Sequence, residues 1–149
     1  STALSKGQTY FNNEMFEQAV NGDGAGFVGF AKLADEYSGT KAGNLANLYA
    51  GLCYANLGKW AEAQKSLDAF STEGDQMISP ASQAALGDAY AHLNNSLSPT
   101  FLIKAGEVLE SQGKKDEALK IYQDIKKKYV NSMLVQSAEI DKYIERASN

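Results

Sequence analysis

The sequence is short of the residues that disulfides, zinc sites and many catalytic sites require. Among 149 residues there is one cysteine, Cys53, and one histidine, His92. A single cysteine excludes a disulfide within the chain, and a single histidine excludes the zinc motifs that need two. Cys53 lies in an apolar helical segment, where a lone thiol usually serves packing. We therefore expect no metal site, no cofactor and no enzymatic activity.

Proline, β-branched residues and positive charge are also scarce. The chain has two prolines, is 44% hydrophobic and 21% charged, and carries a net charge of −4. Few valines and isoleucines beside many alanines, leucines and tyrosines favour helices over strands. The net negative charge offers no basic field to nucleic acid, and no run of 18 apolar residues is present to span a membrane. We expect an all-α domain whose residues contact neither nucleic acid nor a membrane.

What the sequence does contain is a helical motif that recurs. In the segment that we call the central repeat, its residues are Gly51, Tyr54, Gly58, Ala63 and Leu67. In the final repeat, the residues at the same spacings are Gly106, Leu109, Gly113, Ala118 and Tyr122. The motif is partly present from Gly7 and from Gly87. Small residues let two antiparallel helices approach closely, so we predict that Gly51 contacts Ala63 and that Gly106 contacts Ala118.

This pattern resembles the tetratricopeptide repeat, a helix-turn-helix unit. The resemblance implies an all-α, right-handed α-α superhelix with a C-terminal capping helix, formed by one domain over residues 1–149. Its units would be 1–40, 41–78, 79–97 (incomplete) and 98–131, followed by the capping helix at 132–147. Gly58 and Gly113 would end the first helix of each pair in a left-handed conformation, and Trp60 would open a second helix as a packing residue.

Helix starts carry recognisable capping residues. Ser79 and Ser98 each precede a proline at the first helical position, and Thr40 and Ser132 stand before two further helices. The closing segment from Met133 to Ala147 places apolar residues on one stripe, which predicts a single capping helix.

The stretch "NGDGAGFVGF" contains the G-x-G-x-x-G pattern of dinucleotide-binding turns, from Gly24 to Gly29. That motif works only between a strand and a helix, whereas here the segments 4–20 and 27–37 both have helical spacing. A calcium loop is disfavoured because Ala25 and Lys32 occupy ligand positions. We interpret the stretch as an inserted loop that splits the second helix of the first repeat. The loop is either a partner-binding element or a structural bulge.

The third repeat is too short. Gly87 and Gly106 are only 19 residues apart, so the second helix of this repeat is missing. We expect that the natural chain has additional residues between Leu93 and Ser96, which would appear as a spatial gap. In the alternative, a continuous chain packs the helix at 99–112 directly on the helix at 80–93, and a neighbouring molecule covers the exposed stripe.

In tetratricopeptide repeats, the first helices line a concave groove that holds peptide segments. By resemblance, the groove-facing candidates are Gln8, Phe11, Asn12, Leu52, Ala55, Asn56, Asp88, Ala91, His92, Glu107, Glu110 and Ser111. This set is neutral to acidic. Leu4, Leu48, Ala84 and Ile103 occupy the places of a carboxylate clamp, so we expect none.

A narrower resemblance links "YSGTKAGNLANLYAGLCYANLGKW" and "AEIDKYIERA" to Bacteroidetes-type cell-envelope repeat proteins. It implies a periplasmic scaffold for protein or peptide partners, acting in translocation, folding or assembly and held at the inner membrane by an N-terminal anchor outside this sequence. The alternatives are a cytoplasmic location and a regulatory module with a small-ligand site in the groove. Homo-oligomers are compatible with either interpretation.

Overall fold

The chain folds into helices joined by short turns. The computed structural model describes residues 2–72, 85–87, 89 and 97–149, and these residues contain no β-strand. They fall into an N-terminal body within residues 1–89 and a C-terminal body within residues 90–149. The all-α prediction is confirmed.

The N-terminal body contains α1 (Thr2–Asn12), α2 (Phe16–Asn21), α3 (Phe30–Glu36), α4 (Lys41–Asn56) and α5 (Trp60–Ala69), and residues 85–87 and 89 are also helical. The C-terminal body contains α6 (Pro99–Ser111), α7 (Lys115–Lys128), α8 (Met133–Gln136) and α9 (Glu139–Ser148). In the described part of the chain, no helix combines the length and apolar composition that crossing a bilayer requires.

Three of the predicted N-caps are confirmed by hydrogen bonds. The Thr40 hydroxyl accepts from the Gly43 amide at 3.1 Å, Ser98 accepts from Phe101 at 3.2 Å, and Ser132 accepts from Leu134 at 3.2 Å. Each bond satisfies an amide that has no partner within its own helix. These caps set the starts of α4, α6 and α8.

The two helix pairs α4–α5 and α6–α7 share one geometry. Gly58 and Gly113 adopt φ values of 76° and 77° at the turns, which confirms the predicted left-handed ends. The predicted contacts with Ala63 and Ala118 stay predictions, but the nearest neighbour of each repeat glycine is a larger residue. A Cβ on Gly51 would lie 2.6 Å from Leu67 Cγ, and one on Gly106 would lie 2.6 Å from Tyr122 Cζ. The glycines thus make room for the large residue sixteen positions later, one helical turn beyond the predicted alanine.

The first repeat is interrupted twice. The prediction of a helix over 4–20 was wrong at residues 13–15, where Glu14 has a left-handed φ of 59° and separates α1 from α2. The predicted split of the second helix is confirmed, because α2 and α3 flank the glycine loop. However, α3 begins at Phe30 and not at Phe27.

The closing segment forms two helices, so the prediction of one capping helix over 132–147 was wrong. Ala138 adopts a left-handed φ of 61° between α8 and α9. Of these two helices, only α9 presents buried apolar residues, Ile140 and Ala147, and it packs on α7. The stripe is therefore broken at Ala138, which is exposed.

Aromatic rings fill the core of the N-terminal body. Phe30 stacks on Tyr49 with ring centroids 4.9 Å apart, and Phe11 meets Tyr49 edge-on at 5.0 Å. These contacts join α1, α3 and α4. Trp60 is 44% exposed, so its predicted role in packing is only partly fulfilled.

Several sequence predictions lie outside the described residues. These are the Ser79–Pro80 helix start, most of the helix at 80–93, and the chain spacing between Leu93 and Ser96 on which the missing-helix hypothesis depends.

Candidate functional site

The predicted groove residues occupy three equivalent positions in the first helices, namely one, four and five residues after the repeat glycines Gly7, Gly51 and Gly106. The residues five after each glycine are Asn12, Asn56 and Ser111, and all three are exposed. Asn56 donates to the Leu52 carbonyl at 2.8 Å, and Ser111 donates to the Val108 carbonyl at 2.6 Å. Polar, solvent-exposed side chains therefore recur at one position of α1, α4 and α6.

In the N-terminal body, the residues one and four after each repeat glycine are largely buried. Leu52 is 0% exposed, Ala55 is 3% exposed, and Phe11 is 8% exposed with its ring against Tyr49. Gln8 is half-buried and donates from Nε2 to the Tyr49 hydroxyl at 3.5 Å. Gln8 and Phe11 join α1 to α4 through Tyr49, and the burial of Leu52, Ala55 and Phe11 makes these three core residues.

In the C-terminal body, the same positions hold Glu107 and Glu110, both half-buried. The Glu110 carboxylate accepts from three donors. The Tyr122 hydroxyl donates to Oε1 at 2.6 Å, Arg146 Nε donates to Oε2 at 2.9 Å, and Arg146 Nη2 donates to Oε1 at 2.5 Å. Residues from α6, α7 and α9 therefore meet at one carboxylate, which we call the Glu110 cluster.

The Glu110 cluster shifts the proton affinities of its members. Burial alone would raise the pKa of Glu110, but the hydrogen bonds from Arg146 and Tyr122 outweigh burial and lower it. Burial, followed by the hydrogen bond to Glu110, raises the pKa of Tyr122, and the same carboxylate raises the pKa of Arg146. The cluster is therefore an ion pair with a neutral phenol at neutral pH.

Sequence reasoning found Glu110 but missed its partners. Arg146 lies 36 positions later in the chain, within the closing segment. Tyr122 was identified only as a residue of the repeat motif, and Tyr143, whose ring centroid is 5.1 Å from Arg146 Cζ, was not singled out. A tyrosine where the central repeat has leucine was the one available signal, since a buried hydroxyl needs a partner. Asp88, Ala91 and His92 lie outside the described residues.

The glycine loop lies between α2 and α3 and is held by one carboxylate. Asp23 is 7% exposed at its side chain and accepts from the Tyr10 hydroxyl at 2.6 Å, from Lys6 Nζ at 2.9 Å, and from the amides of Ala25 and Phe27 at 2.8 and 3.1 Å. The hydrogen bond from Tyr10, with the others, lowers the pKa of Asp23 well below its usual range. Asp23 therefore fixes the loop against α1.

Two glycines of this loop have a steric role. A Cβ on Gly22 would lie 2.6 Å from the Phe27 carbonyl oxygen, and one on Gly29 would lie 2.6 Å from the backbone of Asn21 and Gly22. The loop closes on itself where α2 ends and α3 begins. A helix precedes the glycines, which is not the context in which a dinucleotide-binding turn works. That the loop binds no nucleotide stays a prediction.

The reactive groups of the described residues are dispersed or buried. Over residues 2–72, 85–87, 89 and 97–149, no three His, Cys, Asp or Glu side chains are arranged to hold a metal ion. Burial raises the pKa of the Cys53 thiol to about 12, which keeps it protonated and unreactive at neutral pH. Cys53 is thus a packing residue, as predicted.

Comparison with protein families agrees with this geometry. The tetratricopeptide repeat family model matches residues 45–73 and 101–132. The first match covers most of α4 and all of α5, and the second covers most of α6 and all of α7. No curated protein and no solved structure matches the chain significantly. The helix pairs α4–α5 and α6–α7 are therefore similar to tetratricopeptide repeats, a unit that generally mediates binding between proteins.

Proposed function

We propose that this protein is a non-enzymatic scaffold that binds a protein or peptide partner on the faces of its first helices. The observation that carries the proposal is the repetition of exposed polar side chains at the fifth position after the repeat glycine, Asn12, Asn56 and Ser111. Short amide and hydroxyl side chains adapt readily as hydrogen-bonding groups at protein interfaces. Together with the two matched repeats, they support peptide binding by the first helices of each body.

The charge of the candidate set favours a basic or neutral partner. Its ten polar or large members include Asp88, Glu107 and Glu110 and contain no lysine or arginine. Complementary charge increases association rates and disfavours like-charged partners. We therefore propose a partner segment that carries lysine or arginine side chains.

We also propose that the scaffold is an accessory factor of the bacterial cell envelope. The resemblance of its central and closing segments to Bacteroidetes-type envelope proteins supports this role, which includes translocation, folding or complex assembly. Fractionation of cells that express the full-length protein with an epitope tag tests the location. Recovery in the periplasmic or inner-membrane fraction is the expected result, and exclusive recovery with cytoplasmic markers would refute the envelope role.

Site-specific photo-crosslinking tests the binding face. A photoreactive amino acid is introduced at Asn12, Asn56 or Ser111, and matched controls carry it at Lys65 and Lys120, which are exposed at one equivalent position of α5 and α7. We expect discrete protein adducts from the first three positions and few from the two controls. Adducts of equal yield at all five positions would contradict the proposal. An ordered small molecule retained at the first three positions would favour the regulatory alternative.

A further inference from the structure

The Glu110 cluster already contains a basic side chain in the position that a basic partner would take. Arg146 presents Nε and Nη2 to the two oxygens of Glu110, in the two-pronged geometry that guanidinium and carboxylate groups prefer. Glu110 belongs to the face for which the tetratricopeptide architecture implies partner binding. Its side chain is 12% exposed while Arg146 occupies it.

Arg146 can leave Glu110 without detachment of its helix. Its side chain is 51% exposed, whereas α9 is anchored by the buried residues Ile140 and Ala147. Lys126 also bonds Asp141 across the α7–α9 contact at 2.7 Å. In the paired state the guanidinium also contacts the Tyr143 ring, 5.1 Å from Arg146 Cζ, so a partner cation must replace this contact as well. Departure therefore requires a side-chain rotation, not local unfolding.

Glu110 keeps its orientation when Arg146 leaves. The Tyr122 hydroxyl donates to Oε1 at 2.6 Å, and Tyr122 itself is 0% exposed. Because a fixed tyrosine holds the carboxylate, little conformational freedom is lost when another cation binds. The site is thus arranged for exchange of one cation for another.

On this basis, and resting on the proposed function, we propose that Arg146 is an autoinhibitory competitor that occupies Glu110 until an arginine or lysine of a basic partner displaces it. Because the Arg146 side chain is half-exposed, water reaches and partly screens the ion pair, so a partner cation can approach and replace the guanidinium. The contact makes binding selective, since only a partner with additional contacts elsewhere on the face overcomes the internal competitor.

The test measures binding of a fluorescein-labelled oligo-arginine peptide by fluorescence anisotropy at low salt, with an oligo-glutamate peptide as the charge control. Arg146→Gln removes the competitor, and Lys142→Gln removes one positive charge from an exposed position of the same helix. We expect Arg146→Gln to bind the oligo-arginine peptide about fivefold more tightly than the wild type. Lys142→Gln should change the affinity less, and Glu110→Gln/Arg146→Gln should abolish the gain.

An unchanged affinity in Arg146→Gln, or an equal gain in Lys142→Gln, would overturn the proposal. If Arg146→Gln loses helicity, the proposal is tested on the wild-type protein instead. NMR then follows the Arg146 Nε–H resonance during titration with the oligo-arginine peptide. If the peptide displaces Arg146, this resonance should move to the position of a solvated arginine. Failure of these tests while photo-crosslinks persist at Asn12 and Asn56 would refute only the competitor. Loss of those crosslinks would refute the proposed binding face itself.

Discussion

The central repeat, α4–α5, and the final repeat, α6–α7, solve the same packing problem with different chemistry. Both begin their motif with a buried glycine, turn at a left-handed glycine, and bury an alanine, Ala63 or Ala118, in the second helix. Sixteen residues after the first glycine, the central repeat has Leu67 and the final repeat has Tyr122. Both side chains lie against the glycine, and both are buried.

The difference spreads from that one position. The apolar side chain of Leu67 needs no hydrogen-bond partner. The residue four after Gly51 is Ala55, whose side chain has no polar atom. Tyr122 brings a hydroxyl into the core, and the residue four after Gly106 is Glu110, which accepts its hydrogen bond. The space beside the repeat glycine thus accommodates either side chain. A buried tyrosine also requires a hydrogen-bond acceptor, here Glu110, and the charge of Glu110 is paired with Arg146. The repeat geometry therefore provides the space, whereas the polar groups nearby determine which large residue can occupy it.

The largest expected effect follows from placing a tyrosine where the central repeat has no acceptor. Leu67→Tyr should destabilise the protein by about 3 kcal/mol, because the larger ring strains the core and its hydroxyl is left without a designated partner. Urea unfolding followed by circular dichroism measures the change. Leu67→Phe is the matched control, which should cost about 1 kcal/mol less. Equal costs for both variants would show that the hydroxyl is irrelevant.

Gly106→Ala should cost more than Gly51→Ala. Its Cβ would lie 2.6 Å from Cζ and 2.8 Å from the hydroxyl oxygen of Tyr122, a ring held by its hydrogen bond to Glu110. Overpacking exceeds the gain of about 1 kcal/mol in helix propensity, so we expect a net loss of about 2 kcal/mol. In a Tyr122→Leu background, Gly106→Ala should cost less stability. An equal cost in that background would show that contact with Tyr122 is not the source of the strain.

Glu110→Gln should lower stability by about 1 kcal/mol at neutral pH, because the charge-assisted bonds from Tyr122 and the half-exposed Arg146 weaken. Since the pKa of Glu110 is lowered on folding, its contribution is present above the ordinary glutamate pKa of about 4.3 and is lost as the pH falls below it. The difference in the free energy of unfolding between wild type and Glu110→Gln should therefore become smaller at acidic pH. Urea unfolding at several pH values measures it, and Glu117→Gln, at an exposed position of α7, controls for the loss of one negative charge.

The smallest effect is expected where the two repeats bury different small side chains at the same position. Two residues after the repeat glycine, the central repeat buries Cys53 and the final repeat buries Val108. Cys53→Val exchanges two small apolar groups and should change stability by less than about 1 kcal/mol. Because burial raises the pKa of the Cys53 thiol to about 12, native wild type should also react with a thiol reagent only as fast as it unfolds. Rapid labelling without urea would contradict this.

The repeat spacing and the capping residues determined the local architecture before any coordinates. Helix ends at Gly58 and Gly113 and helix starts after Thr40, Ser98 and Ser132 follow from backbone preferences that act within a few residues. The break of the second helix of the first repeat at the glycine loop could be predicted for the same reason. The breaks at Glu14 and Ala138 were not, since non-glycine residues enter the left-handed region only when surrounding contacts compensate for the strain.

The tertiary structure alone decided which candidate residues are available. Leu52 and Phe11 share a predicted face with Asn12 and Asn56, yet the first two are buried and the two amides are exposed. Glu110 was visible as a carboxylate on α6, but its charge is matched by an arginine 36 residues away in the chain. Sequence periodicity specifies the face of a helix, whereas the neighbour that covers that face depends on contacts between residues distant in sequence.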